Sequence, residues 1–418
     1  MPIIRDDRFE AGDWLKQFDL SSRHAFFDER VIDFLHELSR RLMKDSDARH
    51  YPDLVTFAYF CRKANLRTLS QQYRDAGYRS GWGTVAHIAP SNIPVNFAFS
   101  LVFGMLSGNS NIVRMPSKAF PQNDIFLRAF DGAAAASETF RSIAVGNIFI
   151  QTVRGSARLK EIVAAVDGLT VWGGDATVAE FRSLPKKPRS VELYFPDRTS
   201  SAAIDASAYS ALEAEQKTKL ARDFFNDTYL VDQNACSSPS LIFWLGEPAA
   251  IAKAKVDFWH HLDEELRRQD FHLDTVARLD KFLDLMDAIR TTGATLALTR
   301  YSPDIWCIGQ PLPKETRLRF GQFAEIEVQA PSNIAAFLRP QEQTLTYFGL
   351  QPQALFLALQ SGSANHAIDR IVPIGKALDI NPFWDGKDVL SLLSRRVEIV
   401  EGREDAAISA TALASSKN

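Results

Sequence analysis

The chain has 418 residues, 46% of them hydrophobic and 24% charged, which is enough for two domains with full cores and ordinary for a soluble enzyme. Its 48 basic and 51 acidic residues give a formal net charge of −3 without a long block of either sign, which excludes a nucleic-acid footprint. Three cysteines, Cys61, Cys236 and Cys307, are too few and too widely spaced for a disulfide framework or a zinc cluster.

The opening segment from Met1 to Asp7 lacks the apolar stretch of a signal peptide, and the longest apolar run, Ile93 to Leu106, is too short to span a bilayer. The expectation is a cytoplasmic protein with no membrane span. Residues 1–80 read as mostly helical, with apolar residues at helical spacing over Val31–Leu38 and Leu54–Phe60. His36 and Cys61 lie in or beside those faces and are expected to pack. Gly81 to Pro90 is a short β-branched run that stops at proline, a strand feeding the loop Ser91-Asn92-Ile93-Pro94. A buried helix from Val95 to Leu106, closed by Ser107-Gly108-Asn109, and a strand over Asn111–Arg114 complete a βαβ unit.

A second unit follows: a strand over Ile143–Ile150, a helix near Leu159–Val166, and a strand over Gly168–Trp172 that ends in Gly173-Gly174-Asp175-Ala176-Thr177-Val178. Paired glycines between strand and helix allow backbone N–H groups to approach a phosphate, or serve merely as a turn. Val191–Phe195 is β-prone, and the Ser/Ala-rich stretch near 200–213 marks the expected domain boundary. Helix is expected from Leu212 to about Asn226 and through most of 248–290, with strands at Leu241–Leu245, Thr295–Leu298 and Asp304–Ile308. Adjacent His260 and His261 would point to different helix faces, which disfavours a metal pair.

Between the two halves lies Asp232-Gln233-Asn234-Ala235-Cys236-Ser237-Ser238-Pro239. Ser, Ser and Pro are residue types that open helices, and unpaired N–H groups at a helix start favour a thiolate, the form that attacks carbonyl carbon. Cys236 is therefore a candidate nucleophile with a lowered pKa; the competing reading is a small buried residue in a turn.

Three motifs resemble the aldehyde dehydrogenase superfamily: Pro90-Ser91-Asn92-Ile93-Pro94, Gly108-Asn109 through Arg114, and Gly173 to Val178, with Cys236 downstream in the nucleophile's place. The cysteine segment, Val171-Trp172-Gly173-Gly174-Asp175 and the late Trp384-Asp385-Gly386 are more specifically similar to the LuxC-type acyl-CoA reductases, the fatty acid reductases of bacterial luminescence systems, over roughly residues 80–396. The resemblance implies an α/β fold of two doubly wound domains: a helical segment at 1–80, a Rossmann-like cofactor domain at 81–205, a catalytic thiol domain at 206–396 and a tail at 397–418.

It also implies a long-chain acyl-CoA or acyl-protein thioester as substrate, an aldehyde as product, a possible acyl-protein synthetase as partner, and a homo-oligomer. Cys236 would become acylated, while the Asn92 side-chain amide and the Cys236 backbone N–H hold the oxyanion, each contributing about 3–4 kcal/mol. Pro90, Ser91, Gly173, Gly174 and Asp175 would lie against the cofactor. At the positions where the superfamily keeps a Lys and a ribose-binding acid, this chain has Arg114 and Ser117, or in another register Met115 and Lys118. Neither register supplies a carboxylate, which favours NADP(H) over NAD(H) if Arg114 and Lys118 meet the 2′-phosphate and are not simply solvated. Glu192 is either the superfamily's deacylating base or a polar strand residue, since Tyr194 and Phe195 replace the two glycines that follow that base. Phe97, Phe224, Phe225 and Tyr229 are candidates for an acyl tunnel or for ordinary core. The competing functions are an aldehyde-oxidising dehydrogenase of the same fold and a non-catalytic scaffold.

Overall fold

A computed structural model describes residues 4–5, 24–74, 77–90, 93–292, 296–309, 318–361 and 368–400. Its elements run in chain order as β1 (Ile4–Arg5), α1 (Glu29–Lys44), α2 (Pro52–Phe60), α3 (Lys63–Gln72), β2 (Tyr78–Gly81), β3 (Thr84–Ile88), α4 (Asn96–Leu106), β4 (Ser110–Arg114), α5 (Pro121–Ala135), α6 (Glu138–Ala144), β5 (Asn147–Gln151), α7 (Ala157–Ala165), β6 (Gly168–Trp172), α8 (Asp175–Ser183) and β7 (Val191–Phe195). They continue as β8 (Thr199–Asp205), α9 (Ala206–Ser210), α10 (Ala214–Thr228), β9 (Pro239–Leu245), α11 (Pro248–Arg268), α12 (Thr275–Thr292), β10 (Leu298–Ser302), β11 (Ile305–Gly309), β12 (Gln322–Val328), β13 (Glu342–Phe348), α13 (Pro352–Gln360), β14 (Arg370–Pro373), β15 (Phe383–Trp384), β16 (Lys387–Asp388), α14 (Val389–Leu392) and β17 (Ser394–Val397). Among the described residues no helix is long and apolar enough to cross a membrane.

Two compact units divide the described residues: one holds those up to 172, 176–194 and from 388 onward, the other 173–175 and 195–387. The expected boundary at 205/206 is therefore displaced. β8 belongs to the second unit because it pairs in parallel with β9 and β13. The expected end of that domain at 396 is also corrected, since β17 returns to pair antiparallel with β2, Ser394 opposite Gly81.

In the first unit the sheet order is β1-β5-β4-β3-β6-β7, with parallel pairing of β1 to β5 and from β5 through β6. The order reverses at β3, so the loops after β3 and β6 flank the switch point where such sheets bind ligands. α4 is buried along its whole length, and its apolar composition suits a helix with no solvent face. It stops at Gly108, whose φ of +83° is left-handed and whose Cβ, if present, would lie 2.4 Å from the His24 carbonyl oxygen. Ile143 and Ala144, expected in a strand, close α6. The N-terminal helices join this core through edge-to-face phenylalanines: Phe34 against Phe130, Phe57 against Phe126, and Phe97 against Phe126 and Phe149.

The second unit carries a seven-stranded sheet in the order β10-β11-β12-β9-β8-β13-β14, parallel except for the edge pair β10 and β11. Its largest apolar cluster packs α10 and α11 on one face of the sheet through Phe224, Trp244, Phe258, Trp259 and Phe323. Phe97, Phe224, Phe225 and Tyr229 all sit in these cores, Phe225 stacked on Tyr229 at 5.9 Å. All four are buried packing residues.

Candidate active site

Cys236 stands at the amino end of β9, in a loop held by the side chains of Gln233 and Ser200. Asp232 and Gln233 adopt consecutive left-handed conformations, φ +49° and +57°, and carry the chain out of the short turn after α10. Gln233 is 5% exposed and uses its whole amide: Nε2 donates to the carbonyls of Pro239 (2.9 Å) and Gln322 (3.0 Å), and Oε1 accepts from the Gly321 N–H (2.9 Å). Ser200 on β8 donates its hydroxyl to the Cys236 carbonyl (2.7 Å) and accepts the Thr344 N–H of β13 (3.1 Å). The cysteine is thus fixed against three neighbouring strands.

No helix starts at Ser237. The Ser238 N–H closes a turn onto the Ala235 carbonyl (3.0 Å), and Pro239 takes the first position of β9, where its missing N–H is tolerated. The expected thiolate-stabilising helix start is therefore absent, and burial pushes the Cys236 thiol up to about 11, with the neighbouring Asp385 charge adding to it. Three groups oppose the rise: Gln343, whose Nε2 donates to Sγ at 3.4 Å, the charge of Arg198, and the Cys236 main-chain N–H. Cys236 remains the most accessible of the three cysteines, since Cys61 and Cys307 are buried in cores.

Gln343, on β13, also donates to Asp385 Oδ1. Arg198, just before β8, pairs with Asp369 and donates to the Glu342 carbonyl at 2.7 Å. Glu342, 1% exposed, accepts from Thr199 and Ser201, each at 3.2 Å. The sequence motif Trp384-Asp385-Gly386 is thereby brought to the cysteine. Gln343 and Arg198 carried no sequence signal, being 107 and 38 positions from Cys236 along the chain.

Ser91 and Asn92 lie outside the described residues. Pro90 follows β3, half-buried. Arg114, at the end of β4, is buried, with Nε donating to the Thr152 carbonyl at 3.2 Å, so it is corrected from an accessible cation to an internal strut. Ser117 and Lys118 are exposed beyond it, the Lys118 ammonium 5.2 Å from the Phe120 ring centre. The turn at Gly173 to Asp175 is closed internally. Gly173 N–H bonds the Phe195 carbonyl (3.2 Å), Asp175 N–H bonds Asp197 Oδ2 (3.2 Å), and that same carboxylate oxygen is 2.7 Å from where a Gly174 Cβ would stand. In this structure the Asp197 carboxylate takes the place at the turn that the sequence suggests for a phosphate on Gly173, Gly174 and Asp175. Glu192 is an exposed strand residue whose carboxylate accepts the Tyr194 hydroxyl and pairs with Lys186 at 3.3 Å. Among the described residues no three His, Cys, Asp or Glu converge as a metal site.

The sequence profile of the acyl-CoA reductase (LuxC) family matches residues 37–277, a stretch that begins within α1, takes in the cysteine loop and ends in α12. No curated protein matches the chain. Solved structures with a similar fold include an NAD-dependent aldehyde dehydrogenase from Sinorhizobium meliloti (14% identity, 93% of this chain and 83% of that one, TM-score 0.59). Betaine aldehyde dehydrogenase from Staphylococcus aureus, solved with NAD+, is 14% identical over 85% of this chain and 76% of that one, TM-score 0.57. Aldehyde dehydrogenase 21 from Physcomitrella patens, solved with succinate, is 11% identical over 90% and 86%, TM-score 0.58. These identities carry the fold alone. The profile match spans more than half of the sequence, and by it the chain belongs to the acyl-CoA reductase (LuxC) family, oxidoreductases built on the aldehyde dehydrogenase fold.

Proposed function

We propose that the protein reduces a long-chain fatty acyl thioester, carried on coenzyme A or on a protein, to the aldehyde with NADPH, through an acyl thioester on Cys236. The observation that carries this reading is that Cys236, alone among the three cysteines, escapes full burial and has a hydrogen-bond donor on its sulfur, inside the stretch that matches the family. Cys236 attacks the thioester carbonyl, the carrier leaves as a thiol, and the acyl group stays on the sulfur. Asn92 and the Cys236 backbone N–H are the proposed donors to the oxyanion, which forms as the carbonyl is attacked. NADPH, when bound, would supply the hydride to the acyl carbon. The thiohemiacetal anion left on Cys236 collapses to the aldehyde as the carbon–sulfur bond breaks, and Cys236 departs as the thiolate and regains a proton.

Reduction is favoured over water-dependent oxidation because Glu192, the residue matching the hydrolytic base, is occupied by Tyr194 and Lys186. For the cofactor, the loop that follows β4 fits a 2′-phosphate: from Met115 to Phe120 it has no carboxylate, and Lys118 is exposed. Lys118 is the residue we assign to that phosphate, with Pro90 and Ser91 beside the nucleotide. A supplying acyl-protein synthetase and a homo-oligomeric state belong to the same proposal. The test is oxidation of NADPH and of NADH across short, medium and long acyl-CoAs, with aldehyde measured as product. Lys118→Glu should raise KM for NADPH at least tenfold while leaving KM for NADH within about twofold. Equal effects on both would remove the NADPH assignment, and no aldehyde from any thioester would remove the function.

A further inference from the structure

The Trp384-Asp385-Gly386 segment has no role in the steps above, yet it delivers a carboxyl group to the nucleophile. Asp385 and Gly386 are both left-handed, φ +48° and +68°, the pattern of the tight turn that Asp-Gly pairs favour. The turn buries the Asp385 side chain to 9% exposure. Oδ1 accepts from Gln343 Nε2, while Oδ2 is buried and has no hydrogen-bond partner among the described residues. An ionised carboxylate with one bare buried oxygen is costly, and burial holds this carboxyl above its ordinary range.

Gln343 uses a single nitrogen for both neighbours, donating to Cys236 Sγ and to Asp385 Oδ1. An amide nitrogen carries two hydrogens, so both bonds stand together. Thiol and carboxyl are therefore flanking groups on one donor, and the carboxylate charge raises the thiol further. An ionised Asp385 therefore opposes the formation of a second negative charge on Cys236. The other charges facing them also hold partners of their own, although Arg198 and Lys387 favour the ionised carboxylate and Asp369 opposes it. Arg198 pairs with Asp369, Arg370 donates to the carbonyls of Lys376, Ala377 and Asp379 (2.9 Å each), and the Lys387 ammonium reaches the Asp385 main-chain carbonyl at 3.4 Å.

We propose that Asp385 is the general base that takes the proton of Cys236 as its sulfur attacks, and that Gln343 holds the charge as it moves from carboxylate to sulfur. In the resting pair Asp385 carries the charge and Cys236 is a thiol. During attack the S–H proton passes to the Asp385 carboxylate and the sulfur–carbon bond forms. The tetrahedral oxyanion then reforms the carbonyl and breaks the bond to the carrier sulfur. The carrier thiolate takes the proton from Asp385 and departs as a thiol, which leaves Asp385 ionised and no electrons transferred between redox partners. Cys236 Sγ and Asp385 Oδ1 bond the same Gln343 nitrogen, which sets them within the span of one bridging water, the wider of the two separations that general-base catalysis allows.

The inference rests on the thioester reading above, and its test separates the two. Asp385→Asn keeps an acceptor for Gln343 and a residue at ease at positive φ, but cannot take a proton. With palmitoyl-CoA and no nicotinamide, the burst of coenzyme A release should slow about 100-fold at pH 7 in the variant. The variant's rate should then climb about tenfold per pH unit, as reaction of an unassisted thiol does, over a range where the wild type is level. Alkylation of Cys236 by iodoacetamide, corrected with Cys236→Ala, should move the opposite way, to lower pH, because a negative neighbour is gone. Unchanged or faster release, or release and alkylation slowed in step, would overturn the role of Asp385. Absence of any burst in the wild type would overturn the thioester reading. In that case an alkylation profile unaltered by Asp385→Asn would overturn the pairing as well.

Discussion

Replacing Gln343 by leucine removes a donor from the Cys236 sulfur without removing bulk, so the thiolate loses one hydrogen bond. A bond of that kind contributes about 1 kcal/mol, and alkylation of Cys236 at pH 8 should slow about fivefold. An unchanged rate would show that Gln343 leaves the sulfur's charge unsupported. This dependence was invisible in the sequence, because a glutamine at the head of a strand resembles any other until folding sets it against a loop 107 residues away. The Cys236 motif stands out in the sequence, but its local setting differs from the one its residue types suggest. Ser-Ser-Pro suits a turn entering a strand as well as it suits a helix start, and the strand prevailed because Leu241 to Leu245 fill the centre of a sheet. The consequence is a thiol raised by burial, not lowered by a helix dipole. Arg114 shows the same limit: its charge was readable, its burial was not.

At the scale of elements, β3, β4, β5 and α4 are joined by a buried polar chain. His87 Nε2 lies 2.9 Å from Asn111 Oδ1, and Asn111 Nδ2 donates to the Asn109 carbonyl (2.9 Å) and to Asn147 Oδ1 (2.8 Å). Asn111 Oδ1 must accept, so Nε2 carries the proton, and Nδ1 accepts the Ser100 hydroxyl at 2.7 Å. Trp172 Nε1 donates to the same Ser100 oxygen at 3.0 Å. Burial holds the His87 imidazole down to about 4 against 6.5 when unfolded. A depressed histidine pKa contributes stability above the unfolded value, and this is lost as pH falls from 6.5 toward 4, because the unfolded chain takes the proton first. Between pH 7 and 4.5 the loss is about 2–3 kcal/mol. Urea unfolding of the wild type and of His87→Gln should show their stability difference narrowing by that amount, and a pH-independent difference would contradict the neutral buried state. The strand was evident from its β-branched run, whereas its polar partners come from four elements, α4, β4, β5 and β6, that only the folded sheet order β5-β4-β3-β6 and the helix beside it bring together.

For the whole molecule, alternating strands and helices marked a parallel doubly wound architecture, and the first βαβ unit lies where Gly81 to Arg114 placed it. The division into units was less legible. A Ser/Ala-rich stretch suggested a linker near 200–213, yet small residues are also what β8 needs at the centre of a sheet packed on both faces, and Ala202, Ala203 and Ile204 are fully buried there. Nor does local composition reveal that the chain comes back to its first unit after Lys387. The account depends most on covalent capture of an acyl group by Cys236. Intact-mass analysis after mixing the protein with palmitoyl-CoA, without reduced nicotinamide, tests it directly. The account predicts one added palmitoyl group per chain, released coenzyme A in equal amount, and neither in Cys236→Ala; no added mass, or the same mass on the alanine variant, would contradict it.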